Sequence, residues 1–184
     1  MARDVESRRL RGAAFLDRDG VLNVDHGYVC KSRDFEWIAG AREAIRYLND
    51  AGYLVVVVTN QSGIARGYYT EAEFRALHRW IDEHLRESGA RVDAVYFCPH
   101  LPDAVLPVYR KECECRKPRP GLLLQAVREL DIDPASSFLI GDEARDCAAA
   151  AAAAVASHLF TSSDLLDFVR GIVAAATPGA LHRA

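Results

Sequence analysis

An α/β fold, a parallel sheet flanked by helices, is what this sequence predicts, and three observations predict it. Short apolar runs rich in β-branched residues alternate with stretches whose apolar positions recur at helical spacing. The first four of these runs each end abruptly in polar or acidic residues, which is how buried parallel strands deliver chemistry to the carboxyl edge of an open sheet. With 184 residues, 50% hydrophobic and 27% charged, the chain has the size and composition of one globular domain with a substantial core.

The first strand is Ala13 to Leu16, and Asp17-Arg18-Asp19-Gly20 follows it directly. Residues two apart along an extended chain point the same way, so Asp17 and Asp19 can face one site. Such a pair suits phosphoryl transfer: Asp17 attacking phosphorus while holding Mg²⁺ with its second oxygen, and Asp19 protonating the leaving oxygen. In isolation the same tripeptide reads equally well as a polar turn, so the rest of the chain decides.

Val24 to Trp37 is irregular and contains Asp25-His26-Gly27-Tyr28, read either as a solvated loop or as part of a substrate mouth just past the acids. Ala41, Ala44, Ile45 and Leu48 mark a helix that Gly52 stops. Tyr53 to Val58 is a buried strand ending in Thr59-Asn60-Gln61-Ser62-Gly63, whose hydroxyls, amides and backbone N–H groups can donate to phosphate oxygens. Thr70 and Glu73 have capping-box spacing, and Phe74, Leu77, Trp80, Ile81 and Leu85 form the inward stripe of the helix they begin.

Val92 to Phe97 is a third strand, running into Cys98-Pro99-His100, with Cys113-Glu114-Cys115 twelve residues later. Three thiols and one imidazole complete a tetrahedral set for structural Zn²⁺ with no position left for water. Zinc there would tie down the loop and position Arg116 and Lys117 as phosphate-gripping cations. Pro120 opens a helix with Leu123, Leu124, Val127 and Leu130 as inner positions. Ser137 to Asp142 is a fourth strand, bringing a third carboxylate to the same edge, with Asp146 one helical turn on. Cys147 to Val155, nearly all alanine, predicts a helix packed closely on the sheet. Ala156 to Phe160 predicts a fifth strand and Ser163 to Ala176 a closing helix.

A net charge of -3 and a pI near 6.1 offer no electrostatic case for nucleic acid or an anionic membrane. The charged start lacks the apolar core of a secretory signal, and no apolar run approaches membrane-spanning length, so a cytoplasmic location is expected. Five cysteines, three of them crowded into residues 98–115, favour metal over disulfides in a reducing compartment.

The blocks DRDGVLN, TNQSG, RK and GD…D resemble, in order, the four motifs of haloacid dehalogenase-type phosphatases. NVDHGYV, VVTNQSGIARG and CPH…CxCRKPRPG are similar to the branch of that family acting on heptose bisphosphates. DHGY and IARG favour that branch over histidinol-phosphate phosphatase domains, which share the cysteine pattern. The likeness spans roughly residues 13–160.

What the resemblance implies is a Rossmann-like, haloacid dehalogenase-like parallel sheet without a large cap domain, its zinc-stabilised loop and short insertions serving as a lid. It implies Asp17 as nucleophile, Asp19 as general acid/base, and Thr59 and Lys117 as groups stabilising the transferring phosphoryl. Asp17, Asp142 and the Asp19 backbone carbonyl would hold catalytic Mg²⁺, and Cys98, His100, Cys113 and Cys115 structural Zn²⁺. Asp25, His26, Gly27, Tyr28, Asn60, Gln61, Ser62 and Arg116 match substrate-contacting positions. The expected reaction removes the C7 phosphate of a heptose 1,7-bisphosphate, a small-molecule partner, in a monomer that engages neither nucleic acid nor membrane. A phospho-acceptor signalling domain and a zinc-dependent nucleic-acid module are the other classes weighed. The expected layout is a charged extension over 1–12, one phosphatase domain over 13–176 and a flexible tail over 177–184. Glu143 departs from the family pattern, where Lys often follows Gly-Asp; it is expected to be a helix-start residue of little catalytic weight, with Arg145 as an extra cation nearby.

Overall fold

A computed structural model describes residues 10–176; most of the expected N-terminal extension and all of the expected tail lie outside the described residues. In chain order the elements are β1 (Ala13–Leu16), α1 (Ala41–Asp50), β2 (Leu54–Asn60), α2 (Ser62–Ala65), α3 (Glu71–Glu87), β3 (Ala94–Cys98), α4 (Gly121–Glu129), β4 (Phe138–Gly141), α5 (Ala144–Ala152), β5 (Ala156–Leu159) and α6 (Leu165–Ala176). The strands form one parallel sheet in the order β3-β2-β1-β4-β5. The chain winds outward from β1 to β3 and then returns across β1 to lay down β4. The connections therefore diverge at the carboxyl ends of β1 and β4, where open α/β sheets hold their ligands.

The alternation of β1 explains the two layers. Ala14 and Leu16 point into a core shared with Ile45 and Leu48 of α1, Leu77 and Ile81 of α3, and Val169 of α6. Ala13 and Phe15 point to the other side, against Leu122, Leu123 and Ala126 of α4 and Ala149 and Ala150 of α5. β1 and β4 are buried throughout, as a parallel strand covered on both faces must be, whereas the sheet's edges β3 and β5 are only partly covered.

Several sequence expectations shift. The expected inner position Leu124 is 38% exposed, and Leu122 is buried in its place; α4 runs only nine residues, and the apolar run Leu122 to Leu124 left the buried face ambiguous by one position. β2 extends two residues further than its apolar run, so Thr59 and Asn60 end the strand rather than begin a loop. α5 starts at Ala144 rather than at the alanines, because the Glu143 N–H donates to Asp146 Oδ2 at 3.1 Å and closes the first turn. His78 on α3 is buried against Phe74. Among the described residues no helix is long and apolar enough to cross a membrane.

Ala149 has no exposed surface, while Ala151 on the same helix faces solvent. Ala149→Leu is expected to cost about 1–3 kcal/mol, the usual range for overpacking, and Ala151→Leu less than about 0.5 kcal/mol, both read from urea midpoints. Burial, reinforced by Arg18, pushes the His78 pKa down to about 3. An unfolded histidine takes up its proton near pH 6.5, so this stability is whole above that pH and is lost progressively as the pH falls toward 3. Between pH 7 and 5 the unfolding midpoint should fall more steeply in the wild type than in His78→Phe.

Candidate active site

The site begins where β1 runs out. Asp17 N–H still donates to Ile140 O at 2.9 Å, so the strand pairing carries the first acid to the sheet edge before the chain turns. Gly20 makes that turn with φ +83°, and a β-carbon there would lie 2.2 Å from Asp142 Oδ2; only glycine lets the first loop and the end of β4 approach so closely. Asp17 is 4% exposed. Its Oδ1 accepts from the Arg18 N–H at 2.7 Å, and its Oδ2 lies 3.0 Å from Lys117 Nζ.

Lys117 has no exposed side-chain surface; besides Asp17, its ammonium meets Asp146 Oδ1 at 2.5 Å and donates to Val58 O at 2.8 Å. Its backbone is clamped by Asn60, which accepts from Lys117 N–H at 3.0 Å and donates to Lys117 O at 3.1 Å. Asn60, expected to touch substrate, thus also aims the lysine.

Asp17, Asp142 and Asp146 bring carboxylate oxygens within 4.8 Å of one another. Burial pushes the Asp17 carboxyl above its ordinary range, Lys117 pulls it back, and Asp146 adds to the push. Asp142 is raised to about 6 by burial and then by the charges of Asp17 and Asp146. Hard oxygen donors repelling one another fit a hard cation such as Mg²⁺, which would relieve that repulsion.

Asp19 stands beside this cluster. Arg18 reaches its carboxylate through Nε at 3.2 Å and Nη2 at 2.9 Å, Asn23 Nδ2 donates at 3.0 Å, and Gln61 Nε2 donates at 3.1 Å. Gln61 also donates to Thr59 Oγ1 at 3.0 Å and accepts from Tyr69 OH at 2.5 Å, which ties the ends of β1 and β2 together. Arg18, fully buried with Nη2 on Val29 O at 2.6 Å, and Tyr69 were missed by sequence reasoning. Strand alternation was the available signal for Arg18, since residue 18 must point away from its acidic neighbours' site.

Asp17, Asp19, Thr59, Gln61, Tyr69 and Asp142 line a cleft of about 330 Å³ with Asp25, Gly27, Tyr28, Asn60, Ser62, Glu143 and Arg145, while Lys117 and Asp146 lie buried behind its wall. Tyr28, at φ 55°, makes an edge contact with Tyr68, ring centroids 4.8 Å apart. His26 and Arg116 do not line the cleft. His26 pairs with Glu36 at 2.9 Å in the adjoining depression. Arg116 lines another depression with Lys111 and Arg119, its Nη1 3.4 Å from His100 O.

The cysteine set closes on itself at the end of β3. Cys98 Sγ lies 3.5 Å from Cys113 Sγ and 3.1 Å from Cys115 Sγ, and His100 Nδ1 is 3.3 Å from Cys115 Sγ. Hydrogen bonding from Cys98 draws the Cys115 thiol down from its usual range, while the same contact and burial push Cys98 up. Three thiol sulfurs and one imidazole nitrogen at such distances fit tetrahedral Zn²⁺.

A family model described as polynucleotide kinase 3 phosphatase matches residues 14–170. The D-glycero-beta-D-manno-heptose-1,7-bisphosphate 7-phosphatase of Photorhabdus laumondii is 51% identical over 147 residues, covering 80% of this chain and 78% of the relative. A Rhodopseudomonas palustris protein of the same name is 47% identical, covering 89% of this chain and 91% of its own. Among solved structures, D,D-heptose 1,7-bisphosphate phosphatase from B. bronchiseptica, complexed with magnesium and phosphate, superposes with a TM-score of 0.75 at 33% identity, covering 89% of this chain and 99% of that one. A HAD-like phosphatase structure from Mesorhizobium loti gives a TM-score of 0.81 at 33% identity, covering 93% and 90%.

Metal analysis of the purified chain should find about one zinc per molecule, retained through chelation mild enough to remove only Mg²⁺. Cys115→Ser should lose most of that zinc and unfold at lower temperature. Cys147→Ser, outside the cluster, should keep it.

Proposed function

The chain belongs to the polynucleotide kinase 3 phosphatase family and is 51% identical over 147 residues to a heptose-1,7-bisphosphate 7-phosphatase, and we propose that it is itself a Mg²⁺-dependent phosphatase removing the C7 phosphate of D-glycero-beta-D-manno-heptose 1,7-bisphosphate. The observation that carries this reading is Asp17: a buried carboxylate at the end of the central strand, gripped by Lys117 and flanked by two further acids. The β anomer is the substrate form of the relatives from Photorhabdus laumondii and Rhodopseudomonas palustris.

Asp17 attacks phosphorus, the bond from phosphorus to the C7 oxygen breaks, and Asp19 delivers a proton to that departing oxygen. Water then attacks the aspartyl phosphate, giving its proton to Asp19, and the bond from phosphorus to Asp17 breaks. Lys117 and Thr59 stabilise the transferring phosphoryl group. Mg²⁺, held by Asp17 and Asp142 with the Asp19 carbonyl, would neutralise charge on the phosphate oxygens. Asp146 extends that carboxylate set and holds the Lys117 ammonium. The Arg18, Asn23 and Gln61 donors fix the direction of the Asp19 carboxylate, so one carboxyl group can serve leaving oxygen and water in turn.

That Asp25, Gly27, Tyr28, Asn60, Gln61 and Ser62 line the cleft supports a role for them in contacting sugar and phosphate; His26 and Arg116 would reach only those parts of the substrate that project beyond it. Zn²⁺ on the cysteine set would hold the loop that leads into Lys117. The substrate is a small sugar bisphosphate, and the protein works as a monomer in the cytoplasm without nucleic acid or membrane.

Turnover of the bisphosphate should stop on Mg²⁺ removal and return with Mg²⁺ alone. Asp17→Asn should abolish turnover while leaving the thermal unfolding transition in place. Asp19→Asn should lose about 10²–10⁴-fold, the usual weight of an acid/base group. Near-normal Mg²⁺-dependent turnover in Asp17→Asn would exclude this mechanism.

A further inference from the structure

A bisphosphate brings two anions to one cleft, and the reaction accounts for only one of them. The cleft wall carries Asp17, Asp19, Asp25, Asp142 and Glu143, and Arg145 is the one cation among the described residues that line it. Besides neutral donors such as Asn60, Gln61 and Ser62, a second phosphate entering this wall finds attraction between full charges only at that guanidinium. Lys117, Arg18 and Arg116 do not line the cleft. Lys117 is enclosed by Asp17, Asp146 and Val58 O. Arg18 is fully buried on Asp19 and Val29 O, and Arg116 lines the separate depression beside the zinc set.

Arg145 is placed for the task by the first turn of α5, between Asp142 and Asp146. Its side chain is 40% exposed, Nη2 lies 2.6 Å from Glu143 Oε1, and Nε is buried with no hydrogen-bond partner among the described residues. Glu143 therefore occupies one edge of a planar fork that retains further donors. A phosphate is the ligand such a fork matches best, because it can accept two parallel N–H bonds.

We infer that Arg145 is a specificity-determining residue that receives the distal phosphate of the substrate, with Glu143 as its partner in the free enzyme. The inference rests on the bisphosphatase reading above. It makes the Glu143-Ala144-Arg145 segment part of the substrate mouth as well as a helix start.

The test is the ratio of kcat/KM for the heptose bisphosphate to kcat/KM for p-nitrophenyl phosphate, which has no second anion. In Arg145→Gln that ratio should fall about ten- to hundredfold, the weight of a lost charge-assisted hydrogen bond, with the loss for the bisphosphate appearing chiefly in KM. Arg145→Lys should recover part of it, since charge remains while the fork is lost. Glu143→Gln should not lower the ratio, because it releases the guanidinium. An unchanged ratio in Arg145→Gln, or an equal fall in Glu143→Gln, would overturn the assignment while leaving the bisphosphatase reading intact. A wild-type enzyme showing no preference for the bisphosphate would instead remove the reading on which the assignment depends.

Discussion

The buried ammonium of Lys117 is the point on which the site depends. A lysine with no exposed side-chain surface survives only because two carboxylates and a backbone carbonyl surround its nitrogen, and neither buried acid is supportable without it. Removing the lysine leaves two buried carboxylates uncompensated, whereas neutralising one acid leaves the ammonium paired with the other. Much of the surrounding architecture serves that placement: β1 delivers Asp17, the first turn of α5 delivers Asp146, and Asn60 at the end of β2 clamps the lysine's own backbone. The cysteine set is part of the same arrangement, since Cys115 precedes Lys117 by two residues. A metal there would hold the loop's exit at the sheet edge rather than leave it to loop entropy.

Beside this triad the protein accumulates negative charge that works against its own stability. Asp142 is pushed up to about 6 by burial and then by Asp17 and Asp146, which share its corner. A divalent cation held among these carboxylates would relieve that repulsion. Asp19 is managed differently. Its oxygens are distributed among Arg18, Asn23 and Gln61, all anchored elsewhere, so two acids one residue apart come to occupy distinct environments and can take distinct roles. Arg145 and Glu143 extend this division of labour to the cleft mouth, where charges are exposed enough to exchange partners.

The apolar runs made all five strands readable, and their sudden polar endings placed Asp17, Thr59 and Asp142 at one edge, because a parallel strand buried on both faces has nowhere else to put such groups. The spacing of Cys98, His100, Cys113 and Cys115 was equally legible, since few other roles bring three thiols and an imidazole together. Local pattern thus sufficed for the sheet, the acids and the cysteine set. It could not say that Arg18 is buried, that Asn60 holds Lys117, that Arg116 lies outside the cleft while Arg145 lines it, or that α4 buries Leu122 and exposes Leu124. Each of those depends on which groups from distant segments arrive at the same place. A cation near an acid in sequence becomes a core ion pair, a substrate contact or a solvated side chain only according to what packs over it, and in this chain that is decided by the return of β4 beside β1.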